Sequence, residues 1–292
     1  MTTAPTTTRT PRLTFGGVLR SEWIKLRSLR STFWCYVILI VLTVGLSALV
    51  AVALPTDGSI GPGGGDPNAP VDPTAEPTPA GATWLTISTI GVGFAQLVIM
   101  VLGALVITGE YGTGMIRSTF AAVPRRLPAI AAKALVFGAV TFVVSGVALV
   151  ASTLLSLVIL QGRDVDLDAG EPAVWWGILG AIGYLTLLGV LSLAIGTILR
   201  SSAAAIATSL GLVLVVPTIF SILGAVLQTT WPSNVTTLLP SGAGGQMYAY
   251  EPVAAFENDI LTLDAGLGLL VLAGWVLVAG AVAALLVKRR DA

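Results

Sequence analysis

The sequence predicts an all-α integral membrane protein with six transmembrane helices. Only 10% of the 292 residues are charged and 55% are hydrophobic, whereas an average soluble domain has about 25% charged residues. Six apolar runs are each long enough to cross a bilayer, which takes roughly 20 helical residues. Basic residues concentrate in every second connection between these runs. The distribution of charge and the hydropathy therefore support the same number of spans.

Residues 1–32 are predicted to form a cytoplasmic tail followed by an amphipathic helix at the membrane interface. Residues 1–12 are rich in threonine and proline, which is typical of disorder. Further on, apolar residues recur at helical spacing: Phe15, Val18, Leu19, Trp23, Leu26, Leu29 and Phe33. Glu22 interrupts this apolar face, and Ile24 interrupts the polar one. A basic amphipathic helix suits the interface, and the alternative is a simple positive flank of the first span.

Residues 33–287 are predicted to form one six-span domain, and residues 288–292 a short cytoplasmic tail. The predicted spans are 33–54, 84–108, 134–160, 174–199, 203–228 and 265–287. The first span follows a basic start, as in a signal peptide, but its about 22 apolar residues exceed the usual 7–15. We therefore expect an uncleaved anchor. Pro217, in the middle of span 5, predicts a kink.

Two features of the spans predict contacts between helices. Span 4 has a row of small residues that lets helix backbones approach closely: Gly177, Gly180, Gly183, Gly189, Ser192 and Gly196. Gln96 lies near the middle of span 2. An amide there most often bonds a neighbouring helix, and contact with a transported substrate is the alternative.

The connections on the other face are acidic, and Arg163 is their only basic residue. Residues 55–83 are rich in proline and glycine and are predicted to be flexible. Residues 161–173 contain spaced aspartates, but they lack the glycine and the terminal glutamate of a calcium loop. Residues 229–264 are too apolar for a free coil. They predict one or two short re-entrant helices in the outer leaflet, with disorder as the alternative.

The charge distribution predicts the orientation of the chain. Of the 15 lysines and arginines, 14 fall on the side of the two termini, and 12 of the 15 acidic residues fall on the opposite side. Because basic residues are retained in the cytoplasm, both termini are predicted to be cytoplasmic.

The segment between spans 2 and 3, residues 110–133, is the most informative connection. It carries one acid and four bases: Glu110, Arg117, Arg125, Arg126 and Lys133. Gly112 and Gly114 can end the incoming helix, a short helix is predicted at Met115–Ala122, and Pro124 would end it. We expect Glu110 to pair with a nearby base at the membrane edge. The segment could dock on a soluble partner, or it could be a basic loop that only fixes orientation.

The sequence offers no catalytic chemistry. No aspartate, glutamate, lysine, arginine or histidine lies within the predicted spans, which argues against a proton relay or a voltage sensor there. None of the three lysines follows the glycine of a nucleotide-binding GxxxxGK loop, and histidine is absent. We therefore expect no enzymatic activity and no cofactor in this chain, so any energy for transport would come from another protein.

Several of these residues resemble the ABC-2 type permeases, the membrane subunits of bacterial ABC exporters. The similar motifs are Glu110-Tyr111, Gly112-Thr113, Ile116-Arg117, Pro124-Arg125-Arg126 and Lys133, together with the N-terminal run 21–28. The span count and the loop lengths agree along the whole chain. The resemblance implies a coupling helix that touches a separate ATPase through these residues: Glu110, Tyr111, Thr113, Arg117, Pro124, Arg125 and Arg126.

The resemblance also implies a function and a set of partners. The chain would be a permease subunit in the bacterial cell membrane, exporting a hydrophobic or amphipathic substrate. A partner ATPase would bind ATP and Mg, and a second permease subunit, identical or different, would complete the pathway among membrane lipids, without nucleic acid. Spans 2 and 5 would line that pathway, with Gln96, Thr208 and Ser221 as candidates. The alternative is a non-transporting membrane scaffold or regulatory protein.

Overall fold

The computed structural model describes residues 14–54, 79–122, 126–250 and 261–289, without the side chains of Phe120 and Ala122. Within these ranges the chain forms twelve α-helices and one π-helical turn, and no strand. The helices are α1 (Phe15–Ser28), α2 (Arg30–Ala53), α3 (Ala80–Thr89), α4 (Val92–Gly112), α5 (Met115–Ala122), α6 (Leu127–Gln161), α7 (Pro172–Leu199), α8 (Ser202–Leu210), α9 (Val216–Leu227), α10 (Trp231–Leu238), α11 (Pro240–Gln246) and α12 (Ala265–Arg289).

Six helical stretches are long and apolar enough to cross a membrane, with mean hydropathy between 2.2 and 2.7. They are Arg30–Ala53, Ala80–Gly112, Leu127–Gln161, Pro172–Leu199, Ser202–Leu227 and Ala265–Arg289. The second stretch combines α3 and α4, and the fifth combines α8, the π-helical turn and α9. The all-helical class and the six apolar helices are confirmed, and this architecture fits a multi-pass membrane protein.

Contacts between helix ends show that the first and third stretches run in the same direction and that the sixth runs in the opposite one. At one end, Nη1 of Arg126, just before α6, donates to the carbonyl of Val287 in the last turn of α12, at 3.3 Å. At the other end, Nη1 of Arg163, just after α6, donates to the carbonyl of Ala51 at the end of α2, at 2.9 Å. We call the end that holds the start of α6 and the end of α12 the basic end.

Helix α7 lies at the centre of the bundle. Of its most apolar stretch, 67% is buried, against 6% for Ser202–Leu227. It packs against α4, α6 and α12, while α2 packs against α4 and α6. The inside of the fold is therefore built by α4, α6 and α7, and α8 and α9 lie at the periphery.

The row of small residues on α7 brings helices close together, as the sequence predicts. A Cβ atom added to Gly189 would lie 2.8 Å from Cγ2 of Ile99, and one added to Gly196 would lie 2.6 Å from Cγ2 of Ile107. On the facing side, a Cβ atom on Gly103 of α4 would lie 2.5 Å from the carbonyl oxygen of Gly189. Such distances leave no room for a side chain, so these glycines set the separation of α4 and α7.

A buried group of hydroxyls joins α3 to α6. The Ser88 and Ser156 Oγ atoms are 3.0 Å apart, and Ser152 Oγ donates to the carbonyl of Ser88 at 2.8 Å. Nε1 of Trp84 donates to the carbonyl of Thr153 at 3.1 Å. Polar side chains inside an apolar bundle need partners of this kind, and here they come from the neighbouring helix.

The helices differ from the predicted spans at several boundaries. The first spanning helix begins at Arg30, before the predicted residue 33, because Leu29 is extended (φ −80°, ψ 114°) and separates α1 from α2. Predicted span 2 contains a turn before Val92. There, a Cβ atom on Gly91 would lie 2.4 Å from Cα of Thr43, so the glycine permits close contact with α2. Helix α6 starts earlier than predicted, at Leu127.

Span 5 departs from α-helical geometry close to Pro217, where the sequence predicts a kink. Residues Gly211–Val215 form the π-helical turn, which ends two residues before Pro217. Because proline has no N–H, it cannot donate to the carbonyl of Val213. Farther along the chain, the connection between spans 5 and 6 contains α10 and α11, which agrees with the predicted number of short helices, while residues 251–260 lie outside the described residues.

We predict that Gly103→Ala destabilises the protein by about 1–3 kcal/mol, because the new methyl group would press on the backbone of α7. Thermal unfolding in detergent would measure the change. Gly93→Ala is the matched control on the same helix, because a Cβ atom there meets no heavy atom within 4 Å. Equal melting temperatures for the two variants would contradict close packing at Gly103.

Candidate functional site

Four ionisable side chains from α1, α4 and α6 meet at the basic end. Nζ of Lys25 lies 2.7 Å from Oε1 of Glu22 and 3.0 Å from Oε1 of Glu110. Nζ of Lys133 lies 2.8 Å from the same Glu110 oxygen and also pairs with Oε2 of Glu22. Each lysine thus contacts both glutamates, and we call these four residues the charge cluster.

The helices bring the charge cluster together through their packed faces. On α1, Val18, Glu22 and Leu26 recur every four residues and are the buried positions of that helix. Glu22 therefore lies in the middle of the face that packs on the bundle. Lys133 lies in the second turn of α6, and Glu110 in the last turn of α4. An acid near a helix C-terminus is disfavoured by the helix dipole, so Glu110 depends on its two lysine partners.

Burial makes the pairing in the charge cluster necessary. Glu22 is 1% exposed, Lys133 4% and Glu110 7%, whereas Lys25 is half-buried at the edge. An isolated charge at such depth would be costly, but the charges of the two lysines and the two glutamates sum to zero. Burial lowers the pKa of Lys25, yet the carboxylates of Glu22 and Glu110 outweigh that effect and raise the pKa above its ordinary value. Lys25 therefore stays charged at neutral pH.

The charge cluster also contacts the short helix α5. Nζ of Lys25 donates to Oγ1 of Thr119 at 3.2 Å, and Ile116 is buried against the bundle. Gly114, with φ of +72°, makes the turn between α4 and α5, a conformation that favours glycine. The helix predicted at Met115–Ala122 is confirmed with those bounds.

The predicted coupling residues fall into different environments. Thr113 and Arg117 are exposed. Glu110 is paired with two lysines, which confirms the expected pairing with a base. Because Glu110 is buried, it is not part of the exposed surface. The ring of Tyr111 lies under the guanidinium of Arg200, 5.2 Å from the ring centroid.

The remaining predicted coupling residues lie after α5. Arg126 is half-buried and bonds the end of α12 through Val287. Pro124 and Arg125 lie outside the described residues. Within the described part of the chain, the exposed coupling surface therefore consists of Thr113 and α5, with Arg117 as its cation.

The three pathway candidates lie in two different environments. Tyr184 Oη donates to Oε1 of Gln96, so Gln96 bonds a neighbouring helix, as expected for an amide in a span. Thr208 and Ser221 are exposed on the peripheral stretch Ser202–Leu227. In this single chain, Gln96 belongs to the interface of α4 and α7, and the two hydroxyls face outward.

Sequence reasoning named Glu110 as a site residue but did not identify Lys25 and Lys133 as its partners, or Glu22 as the second acid of the charge cluster. A signal was present, because Glu22 interrupts the apolar face of an otherwise amphipathic helix. A charge on a packed face indicates an opposite charge on the facing element. Lys133, at the start of an apolar run on the same side of the membrane, fits that requirement.

The chemistry of the charge cluster is ion pairing. Among residues 14–54, 79–122, 126–250 and 261–289, no group of three or more histidine, cysteine, aspartate or glutamate side chains is placed to hold a metal ion.

No protein-family model and no curated protein matches this chain. The role of the site is therefore inferred from its geometry.

We predict that Lys133→Met alone destabilises the protein by about 3–5 kcal/mol, because it leaves a net negative charge buried among Glu22, Lys25 and Glu110. Adding Glu22→Gln restores neutrality, so the double variant should be more stable than Lys133→Met. Unfolding in detergent would measure all the variants.

The matched control for this experiment is Lys288→Met, which removes an exposed lysine at the same end of the bundle. It should leave the melting temperature unchanged. A double variant whose destabilisation equals the sum of the two single variants would show that Glu22 and Lys133 do not interact.

Proposed function

We propose that this chain is the permease subunit of an ABC exporter for a hydrophobic or amphipathic substrate. A separate ATPase subunit, which binds ATP and Mg, would supply the energy. The observation that carries the proposal is the attachment of α5 to the charge cluster: Arg117 faces outward, and Thr119 contacts Lys25. Movement of α5 by a docked ATPase would be transmitted through the cluster to α1, α4 and α6.

The proposal places the chain in the bacterial cell membrane with both termini in the cytoplasm. Support comes from the basic end, which holds α5, the charge cluster and the last turn of α12 with Lys288 and Arg289. Helix α1 would lie at the inner interface, where its exposed Phe15, Trp23 and Ile24 suit the edge of the bilayer. Helix α11, packed on α7 and α12, would be the deeper of two re-entrant helices on the outer side.

The proposal includes a second permease subunit, identical or different. Support comes from the stretch Ser202–Leu227, which is 6% buried and exposes large apolar side chains: Leu214, Val215, Ile219, Ile222 and Val226. A facing subunit would cover this surface, and Thr208 and Ser221 would then lie beside the pathway. Membrane lipids would cover the rest of the apolar surface.

We predict that Arg117→Glu weakens binding of the proposed partner ATPase by about tenfold or more, because it places an acid where the proposed docking surface has its cation. Affinity capture of the co-expressed ATPase would measure binding, and the amount of permease in the membrane should not change.

The matched control for this docking experiment is Arg27→Glu, the same charge change at an exposed position on α1. Its binding should equal that of the wild type. Unchanged capture of the ATPase by Arg117→Glu would remove the docking role from α5.

We predict that Glu110→Ala leaves ATPase binding intact but lowers the permease-stimulated hydrolysis of ATP. Glu110 is buried behind the docking surface and joins the end of α4 to Lys25 and Lys133, so its loss would interrupt transmission rather than contact. Hydrolysis by reconstituted complexes, compared at equal amounts of bound ATPase, would measure the effect.

Thermal unfolding of the same Glu110→Ala samples would show whether the variant is folded, and Glu110→Gln provides a milder change. Full stimulation in folded Glu110→Ala would contradict the coupling role. A wild-type permease that binds the ATPase without stimulating hydrolysis would instead favour a non-transporting scaffold.

A further inference from the structure

A cavity of about 410 Å³ lies beside the charge cluster, between α1, α2, α4, α5 and α6. Its wall is mainly apolar and includes Leu26, Leu102, Leu105 and Val106. Its polar lining consists of the charge cluster together with Ser28, Ser31, Thr32 and Thr113. Its volume falls within the range of small-molecule sites, and a mainly apolar wall with a few converging polar groups is typical of them.

Two buried polar atoms at this cavity have no hydrogen-bond partner among the described residues. They are Oε2 of Glu110 and Oγ1 of Thr32. Both residues line the cavity, and they are only 7% and 4% exposed. The other oxygen of Glu110 already bonds Lys25 and Lys133. Buried polar atoms are nearly always bonded, so a carboxylate oxygen and a hydroxyl without partners indicate a missing ligand.

The free atoms define the chemistry of that ligand. A carboxylate oxygen accepts hydrogen bonds, so the ligand must carry a donor, and a cationic donor gives the stronger bond. The hydroxyl of Thr32 can donate to an anionic group of the same ligand, and half-buried Lys25, whose three N–H groups already bond Glu22, Glu110 and Thr119, attracts that group by its charge. Because the charge cluster is neutral, a ligand with no net charge fits it without leaving a charge unpaired. The apolar wall suits a hydrocarbon chain.

We propose that the cavity binds one molecule of phosphatidylethanolamine. Its primary ammonium donates to Oε2 of Glu110, its phosphate accepts from the hydroxyl of Thr32, and the start of an acyl chain packs on the apolar wall. Exposed Leu29 and Met115, which also line the cavity, lie where the chains would leave it. This binding site does not depend on the proposed transport role.

Phosphatidylcholine provides the sharpest comparison ligand. With matched acyl chains it has the same net charge and the same phosphate, but its quaternary ammonium has no N–H to donate. Delipidated full-length protein would be incubated with detergent micelles that contain equal parts of the two lipids. The protein would then be repurified. Mass spectrometry of the retained lipids should show enrichment of phosphatidylethanolamine by about tenfold, since the difference is one hydrogen bond to a charged group. Retention in the input ratio would overturn the proposal.

A variant that fills the cavity tests its location. Gly109 lines the cavity, and a Cβ atom there meets no heavy atom within 4 Å, so Gly109→Leu should occupy the space and abolish the enrichment. Gly93→Leu, on the same helix and equally open, lies outside the cavity and should retain it. Enrichment that persists in Gly109→Leu would place the lipid elsewhere.

A second variant tests the polar contact without changing the shape of the cavity. Thr32→Val keeps the volume of the side chain but removes the hydroxyl, and it should lower the total amount of phosphatidylethanolamine retained. It also serves as the test if Gly109→Leu does not fold. Retention by Thr32→Val equal to that of the wild type would contradict the assigned contact.

Discussion

The constraint on which the basic end depends is the cost of burying charge. Two glutamates and two lysines lie where water has little access. Each charge is tolerated because it is paired with charges of the opposite sign. Such pairing adds little to stability compared with an apolar core, but it specifies which helices must meet. Here the requirement brings Glu22 of α1, Glu110 of α4 and Lys133 of α6 to one point.

This arrangement connects an exposed element to the inside of the bundle. Helix α5 is short, and it is joined to the fold through Ile116, Thr119 and the turn at Gly114. Close packing between α4 and α7, set by glycines such as Gly103 and Gly189, makes the inner helices a rigid support. In the proposed exporter, a displacement of α5 would therefore move helices rather than deform side chains.

Hydrophobic periodicity and glycine position are local signals, and they were enough to predict the six apolar helices, the row of small residues on α7 and the bounds of α5. The break at Leu29 was not predictable, because no glycine or proline marks the extended backbone there. The charge cluster was also missed. Pairing of Glu22 with Lys133 links residues far apart in the chain, and the sequence offers only the misplaced acid on α1 as a sign. Tertiary contact decides such features, not local propensity.

Hydrogen–deuterium exchange is the measurement that tests the central claim most directly. If the charge cluster joins α1 and α5 to the bundle, Lys133→Met should speed amide exchange in both Phe15–Ser28 and Met115–Ala122, while the buried amides of α7 stay protected. Exchange in α1 and α5 that matches the wild type would show that apolar packing alone positions these helices, and would contradict the account.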